Sequence, residues 1–403
     1  MSHTADLIQR FAPVFDEVGA DAIAREKERR LPYAEIETLR ASGFTRVTLP
    51  VELGGDGADH LALFELLAEL ARRDPNLAQL FRSHFSVIDR ALHAPRSEFS
   101  SALLRRLSEG AIHGNASFER GSARVGSYST VLTRDDCGLR LDGRKFYSTG
   151  TLFADIVSVL AAPDARSGVP GETVGVLVST NAPGLTRIDD WDGFGQRLTG
   201  SGSTVFEGVR VNESDLVSRS PEPSHAGAFV QLVLLATLTG IGRAVVDDAT
   251  RYVGERTRSY SHASAARPKD DPLVQEVIGD LSAASFCADA ALAAAVTVLD
   301  RVAAPLRETD GGRPTAPDHD PAAAHLATAR AQLVIIPAIL RATTELFEVG
   351  GATAVGADLA WDRHWRNART IASHNPARYK ARSVGDHLVN GTPVVSWWTS
   401  GEA

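Results

Sequence analysis

The chain has 403 residues, which at roughly 150 residues per domain gives two to three domains with ample chain for a buried core. That length excludes a peptide or a small stapled scaffold. Its 42 Lys and Arg against 50 Asp and Glu leave a net charge of -8, which argues against a general nucleic-acid or anionic-membrane binder, because such proteins need a basic face. The charge is uneven: residues 361–382 carry six cations (Arg363, Arg366, Arg369, Arg378, Lys380, Arg382) and one anion, Asp362, a local +5 in a chain that is otherwise -13.

The first hundred residues read as helices. After Asp74-Pro75, an N-cap followed by proline at the first helical position, the residues Leu77, Phe81, His84, Phe85, Ile88 and Leu92 make one apolar face with a histidine set into it. From about Gly114 the pattern turns to short β-branched runs. Leu139 to Leu141, Asp142-Gly143 and Lys145 to Tyr147 read as a hairpin with a type I′ turn. Further strands are expected at residues 156–160, 174–178 and 204–211, and the β region ends near Leu216. Beyond Pro223 the helical period returns in a bundle of about four long helices. Residues 226–242 carry no charge, but a membrane span wants about 20 apolar residues, and Gln231, Thr237 and Thr239 interrupt this one, so it reads as a helix buried in a soluble bundle. Residues 304–321, rich in Pro, Gly and Asp, read as a loop between two long helices. The expected domains are 1–112, helical; 113–219, β; and 220–403, a helical bundle.

Cys137 and Cys287 allow at most one disulfide, and neither sits in a CxxC arrangement, which fits a reducing cytoplasmic setting. Residues 1–15 show no basic start followed by an apolar run, so no signal peptide is expected. No GxGxxG follows a strand, since Gly240-Ile241-Gly242 lies in a helical run, and there is no P-loop or nucleophile elbow. Asp318, His319, Asp320 and His325 form the densest His/Asp group, yet without ligand spacing no metal site is expected. In the basic segment, Arg363, Arg366 and Arg369 share one helical ridge. They suit either anion recognition by guanidinium forks or a structural ion network, which the residues alone favour. His374, in Ser373-His374-Asn375-Pro376, sits at a bend forced by the proline. His374 and His84 each read either as a site group or as a hydrogen-bonded structural histidine.

Several segments together resemble the acyl-CoA dehydrogenase superfamily: Pro50 to Gly55, Lys145 to Gly150, Asp189-Asp190-Trp191 with Gly195-Gln196-Arg197, Phe347 to Gly351, and the stretch from Asp362 to Lys380. Asp-Arg-His-Trp-Arg-Asn-Ala-Arg-Thr followed by His374-Asn375-Pro376 is similar to its flavin-dependent monooxygenase branch, of the dibenzothiophene monooxygenase and sulfur-acquisition type. The resemblance implies an α+β fold with an N-terminal helical domain, a middle β-barrel and a C-terminal four-helix bundle, assembled as a homotetramer. It also implies a reduced flavin between barrel and bundle, FMN with FAD as the alternative. Asn115, Ser117, Arg120, Lys145, Ser148, Thr149 and Trp191 match flavin-contacting barrel positions, Arg258 the phosphate-binding arginine, Ala352 and Thr353 a backbone contact, and His374 the histidine beside the reactive flavin edge.

A dehydrogenase of this superfamily needs a carboxylate base within reach of the substrate α-proton. The matching positions are residues 371–375, which read Ile-Ala-Ser-His-Asn, and the neighbourhood of Gln231, with no Asp or Glu from Pro223 to Val246. An oxygenase instead shields a flavin hydroperoxide and donates hydrogen bonds to it, a task for which His374, Thr149 and His84 are the candidates. With no evident nicotinamide site, reduced flavin is expected from a separate NAD(P)H:flavin reductase. Gln79, Ser83 and Ser148-Thr149 depart from the polyaromatic-oxidising pattern, which has histidine, tyrosine and Cys-Ser there, so the expected substrate is a small organosulfur compound. The alternatives are oxygenation of nitrogen or carbon, an acyl-CoA dehydrogenase-like flavoprotein, and a flavin-binding scaffold without turnover.

Overall fold

The structure, a computed structural model, describes residues 2–121, 127–217, 224–308 and 320–394. The helices α1 (His3–Gly19), α2 (Ala22–Glu28), α3 (Tyr33–Ala41), α4 (His60–Arg73), α5 (Pro75–Leu80), α6 (Arg82–His93) and α7 (Glu98–Ser108) come first. The expected single helix after Asp74 is two, broken at Phe81, which lies at the junction of α5 and α6. Its apolar face is as read: Leu77, Phe81, Phe85 and Ile88 are buried, and Phe81 and Phe85 pack edge-on against Phe44. Asp74 caps α5 through the Asn76 amide and also accepts from the fully buried Arg25, which Asp21 and Glu35 flank. One aspartate thus starts a helix and neutralises an interior cation.

The middle region holds β1 (His113–Ala116), β2 (Val131–Asp135), β3 (Gly138–Lys145), β4 (Ile156–Pro163), β5 (Val174–Ser179), β6 (Leu185–Ile188), β7 (Ser203–Val211) and β8 (Leu216–Val217). They form one eight-stranded sheet in the order β6-β7-β3-β2-β4-β5-β8, with β1 parallel to β4. Alternating residues from both halves, among them Leu132, Leu141, Val159, Val176 and Phe206, close on one core. The expected hairpin at Asp142-Gly143 is not there. β3 runs straight through it, with a register shift against β7 between Leu141 and Gly143, and the β2–β3 hairpin turns instead beside the Asp135/Gly138 pair. Gly143 has φ +149°, and a Cβ there would lie 2.5 Å from Thr130 Oγ1, so this glycine serves a bulge at a close backbone approach.

The C-terminal region contains α8 (Ala226–Glu255), α9 (Pro272–Glu308), α10 (Pro321–Glu345), α11 (Asp362–Ala372) and α12 (Ala377–Asn390). α9 extends into the expected loop, most of whose remainder, with Asp318 and His319, lies outside the described residues. The uncharged stretch is the first half of α8, and the most apolar window of this helix is 83% buried within the protein. Thr237 and Thr239 return their hydroxyls to carbonyls one turn back, at 2.9 Å each. Gly240 has a packing role: a Cβ there would lie 2.3 Å from the Ala68 carbonyl oxygen, so only glycine lets α8 lie this close to α4. Cys137 and Cys287 are both free and exposed.

Candidate functional site

The turn between α11 and α12 carries His374. The His374 amide closes the last turn of α11 on the Ile371 carbonyl at 3.1 Å, and Pro376 prevents the helix from continuing. At the start of α6, Arg82 Nη1 donates to His374 Nε2 at 2.8 Å. Arg82 is half-buried and His374 keeps an exposed edge. Desolvation, with Arg82's charge added, pushes the His374 imidazole down to about 3. Desolvation alone brings the Arg82 guanidinium down to about 10. At neutral pH His374 is therefore uncharged, and because Nε2 accepts, its proton is on Nδ1.

The next residue joins the two places where a dehydrogenase would keep its base. Asn375 Nδ2 donates to Gln231 Oε1 of α8 at 2.7 Å, and the Asn375 carbonyl accepts from Gln332 Nε2 of α10 at 2.9 Å. A neutral amide pair occupies both positions, and neither member can take a proton from carbon near pH 7.

The barrel supplies the opposite wall. Gly150, at φ +78°, lies so near α5 that a Cβ would be 2.4 Å from the Leu80 carbonyl oxygen, which sets residues 148–150 against the helix end two residues before Arg82. Ser148 Oγ and, on α5, Gln79 Oε1 are buried and hydrogen-bond to no other described protein atom. Ser83 Oγ donates to the His113 carbonyl at 3.2 Å. Asn115 Oδ1 accepts from Ser117 Oγ at 2.5 Å, and the Asn115 backbone is clamped on both sides by Thr151 Oγ1.

Thr149 is buried and in contact with Ser201 Oγ at 2.8 Å; Ser201 meets Thr199 Oγ1 at 2.7 Å, and Thr199 donates to the Gln196 carbonyl at 2.9 Å. Since the far end can only accept, the three hydrogens run Thr149 to Ser201 to Thr199 to Gln196. The expectation that Thr149 donates to bound oxygen is corrected: its hydrogen is already used, and its oxygen is an acceptor. Tyr147 (φ +58°) and Gln196 (φ +52°), two of the few non-glycine residues in the left-handed region, flank this row.

Lys145 also needs correction. Its side chain is fully buried, with Nζ 2.6 Å from Glu119 Oε1 and 3.4 Å from the Ser117 carbonyl. Its charge is thus spent on Glu119, and it supports the 115–119 segment instead of reaching a ligand. Burial lowers this ammonium to about 8, while Glu119, despite its own burial, is held down to about 2 by Lys145 and by donors from Ser129 and Thr130. Arg120 is exposed, lies 3.7 Å above the Phe146 ring and pairs with Asp192 at 3.2 Å. Trp191 closes the same corner, 6.0 Å from Tyr147 between ring centres, its Nε1 donating to the Gly195 carbonyl.

Arg258, Ala352 and Thr353 are exposed at one end of the bundle. Tyr252 draws the 351–353 turn toward α8 by a 2.6 Å contact with Thr353 Oγ1, and Arg256 Nη1 donates to the Val349 carbonyl at 3.0 Å. Among the described residues, no hydrogen bond or ring contact joins Arg258, Ala352 or Thr353 to Asn115, Lys145 or Trp191.

His84 leaves the catalytic set. Nε2 contacts the Thr45 carbonyl at 2.7 Å and Nδ1 accepts the His113 amide at 3.2 Å, so backbone occupies both nitrogens; burial pushes the imidazole down to about 4. The basic helix α11 is mostly an ion network. Arg363 and His364 meet Asp248 at 3.1 and 2.8 Å, and Arg366 meets Glu26 and Asp362 at 2.8 Å each.

Two features escaped the sequence reading. Arg82 is one, although it is the sole charge between Asp74 and Asp89. The other is a buried group in which Asp89 accepts from His60 Nε2 at 2.9 Å and His225 Nε2 at 2.8 Å, with His93 one turn along α6. Asp89, His93 and His225 place ligand-type atoms within 4.8 Å of one another, but the carboxylate is already hydrogen-bonded to imidazoles. Their spacing, over two helices far apart in sequence, resembles no metal motif.

Helices, a sheet that closes on one core, and a long-helix bundle in this order make up the acyl-CoA dehydrogenase fold. The family model for the acyl-CoA dehydrogenase N-terminal domain matches residues 5–110, and that for the C-terminal domain matches residues 232–379. A dibenzothiophene monooxygenase of Mycolicibacterium goodii is 30% identical over 94% of this chain and 92% of its own length. A probable FMNH2-dependent monooxygenase, SfnC, of Pseudomonas putida is 26% identical over 92% of this chain and 91% of its own. The FMN-bound crystal structure of TdsC from Paenibacillus sp. A11-2 superposes with a TM-score of 0.85 at 26% identity, covering 96% of this chain and 99% of that one. The chain belongs to the flavin-dependent monooxygenase branch of the acyl-CoA dehydrogenase superfamily.

Proposed function

We propose that the protein is a reduced-FMN-dependent monooxygenase that oxygenates small organosulfur compounds, with its reduced flavin supplied by a separate NAD(P)H:flavin reductase. The observation that carries the reading is the neutral Gln231–Asn375 amide pair beside a neutral His374. It leaves no carboxylate for α-proton abstraction, and a polar group suited to hydrogen-bond an oxygen species takes its place. The kinship with a dibenzothiophene monooxygenase and with an FMNH2-dependent enzyme, and the likeness to FMN-bound TdsC, support both the chemistry and FMN.

The residues fit a flavin. Ser148 Oγ is a buried orphan, and Asn115, Ser117, Arg120, Thr149 and Trp191 flank it on the barrel side, where they would hold the ring system. Arg258 is an exposed cation suited to the phosphate, with the Ala352-Thr353 turn at the same end of the bundle. When bound, reduced FMN supplies the two electrons that activate O2. His374 Nδ1–H donates a hydrogen bond, Arg82 fixes that tautomer, and Thr149 accepts. Gln79 and Ser83 replace an aromatic wall, which removes stacking surface for a flat ring system and favours a small substrate.

A homotetramer is the expected assembly. The most apolar windows of α9 and α10 are only 33% and 50% buried within the chain, and Phe286 and Leu273 stand exposed on α9, which supports contact between bundles. The free exposed cysteines fit a cytoplasmic setting. The test is product analysis with enzymatically or chemically reduced FMN, O2 and a panel of sulfides, sulfoxides, indoles and amines. Sulfur oxygenation that depends on reduced FMN is expected. Turnover with NADH and oxidised FMN in the absence of a reductase overturns the two-component reading, and selective oxygenation of amines or indoles moves the substrate to nitrogen or carbon.

A further inference from the structure

The connection between β6 and β7, residues 189–202, carries Trp191 and the far end of the Thr149 row, and side chains from three helices hold it. Arg29, at the end of α2, forks onto the Asp189 carboxylate at 2.8 and 2.9 Å and onto the Trp191 carbonyl at 3.1 Å. Asn76 of α5 accepts from the Leu198 amide at 3.2 Å. The closest hold comes from α11. Gly195 runs so near this helix that an added Cβ would lie 2.1 Å from the Arg366 carbonyl oxygen, and Arg366 Nη1 donates to the Phe194 carbonyl at 3.0 Å.

Asn367, wholly buried on the same helix, makes the central contact. Its Oδ1 accepts from the Gln196 amide at 2.6 Å, and its Nδ2 donates to Glu26 Oε2 of α2 at 2.9 Å. A backbone N–H can only donate and a carboxylate can only accept, so one side chain must accept on one side and donate on the other, which an asparagine amide does. Aspartate lacks the donor and would set a second carboxylate against Glu26. Gln196 needs such a hold, because its φ of +52° lies in the left-handed region, which persists in a residue with a side chain only where the surroundings impose it. The Gln196 carbonyl is also the acceptor that gives the Thr149, Ser201 and Thr199 hydroxyls their direction. His374 follows Asn367 by seven residues, about two turns of helix, just past the end of α11.

We infer that Asn367 is a positioning residue for oxygen transfer: by docking the Gln196 turn onto α11 it fixes how the barrel wall, with Thr149 and Trp191, stands relative to His374. Both ends of its amide are used by protein groups, so it acts through Gln196 on one side and through the helix that leads to His374 on the other. The inference rests on the monooxygenase reading for the chemistry that the two walls serve, though not for the docking itself.

Asn367→Asp keeps the acceptor for the Gln196 amide and removes the donor to Glu26. Asn367→Asp combined with Glu26→Gln reverses the pair, since a glutamine amide can donate to the new carboxylate. The single variant should bind FMN several-fold more weakly in equilibrium titration. Supplied with reduced FMN, O2 and the sulfur compound that the wild-type protein oxygenates fastest, it should release several-fold more hydrogen peroxide per product. In the double variant both quantities should return to within about twofold of wild type, as a direct coupling between the two side chains requires. Circular dichroism and melting temperature verify folding; where Asn367→Asp does not fold, Asn367→Ser, too short to reach both partners, replaces it with the same expectation. A lowered melting temperature with FMN affinity and peroxide-to-product ratio unchanged overturns the inference, because Asn367 would then support the fold alone. A double variant that regains neither FMN affinity nor coupling overturns it as well. Failure of the monooxygenase reading looks different: the wild-type protein then oxygenates no sulfur compound with reduced FMN, while the loss and recovery of FMN affinity still decide the role of Asn367.

Discussion

Arg82 Nη1 donates to His374 Nε2, so two residues 292 positions apart in sequence fix a single proton on Nδ1 of the imidazole. The arginine does this twice over: its hydrogen bond selects the tautomer, and its charge disfavours a second proton on the ring.

His374→Ala should uncouple oxygen reduction from product formation. The expected result is reduced flavin consumed at a comparable rate with several-fold more hydrogen peroxide per product, because a positioned hydrogen-bond donor to the oxygen species is lost. Peroxide and product measured in one reaction give the ratio. An unchanged ratio removes His374 from the chemistry.

Acid should destabilise the protein before its carboxylates titrate. Burial lowers His84 and His364 to about 4, Arg363 adding to the effect at His364, whereas an unfolded histidine titrates near 6.5. Below that value the unfolded chain takes up protons that the native protein refuses, so the stability from these neutral rings is complete above about pH 6.5 and falls as pH drops toward 4. Urea midpoints at pH 7.5, 6 and 5 should decline in that order. His84→Gln should flatten part of the slope.

Glu119→Gln should cost about 3–5 kcal/mol, because it leaves the fully buried Lys145 ammonium without its counter-charge. Lys145→Met with Glu119→Gln should recover much of the loss. Denaturant titration of the single and double variants measures the coupling, and additive losses would count against the pair.

Gly240→Leu should lower the melting temperature by several degrees, since even a Cβ lies 2.3 Å from the Ala68 carbonyl oxygen and α8 would have to leave α4. Gly254, whose added Cβ would meet nothing within 4 Å, is the control: Gly254→Ala should be neutral or slightly stabilising on helix propensity.

Periodicity made the order of helices, strands and bundle legible, because burial of one face is written locally: Leu77, Phe81 and Phe85 share a stripe whether or not the helix breaks at Phe81. Asp142-Gly143 misled because the dipeptide reports only that the backbone needs glycine there. Whether that need is a turn or a bulge is decided by Thr130 and β7, which the local pattern does not contain. The candidate site was legible at His374, where a proline imposes the bend, and at the missing base, where residue identity alone suffices. It was not legible at His84, Lys145 or Thr149. Their types suit a site, but Thr45, Glu119 and Ser201, brought in by the fold, had already claimed their hydrogen-bonding groups. Arg82 shows the reverse: nothing in its local sequence says that no carboxylate will arrive.

The row from Thr149 through Ser201 and Thr199 to the Gln196 carbonyl makes the barrel wall directional. All three hydroxyl hydrogens point away from Thr149, so a group that meets its oxygen must bring a hydrogen of its own. Were a ligand held against this wall, Thr149 would accept a hydrogen bond from it, and a row of uncharged hydroxyls would favour donors over acceptors without any titratable group.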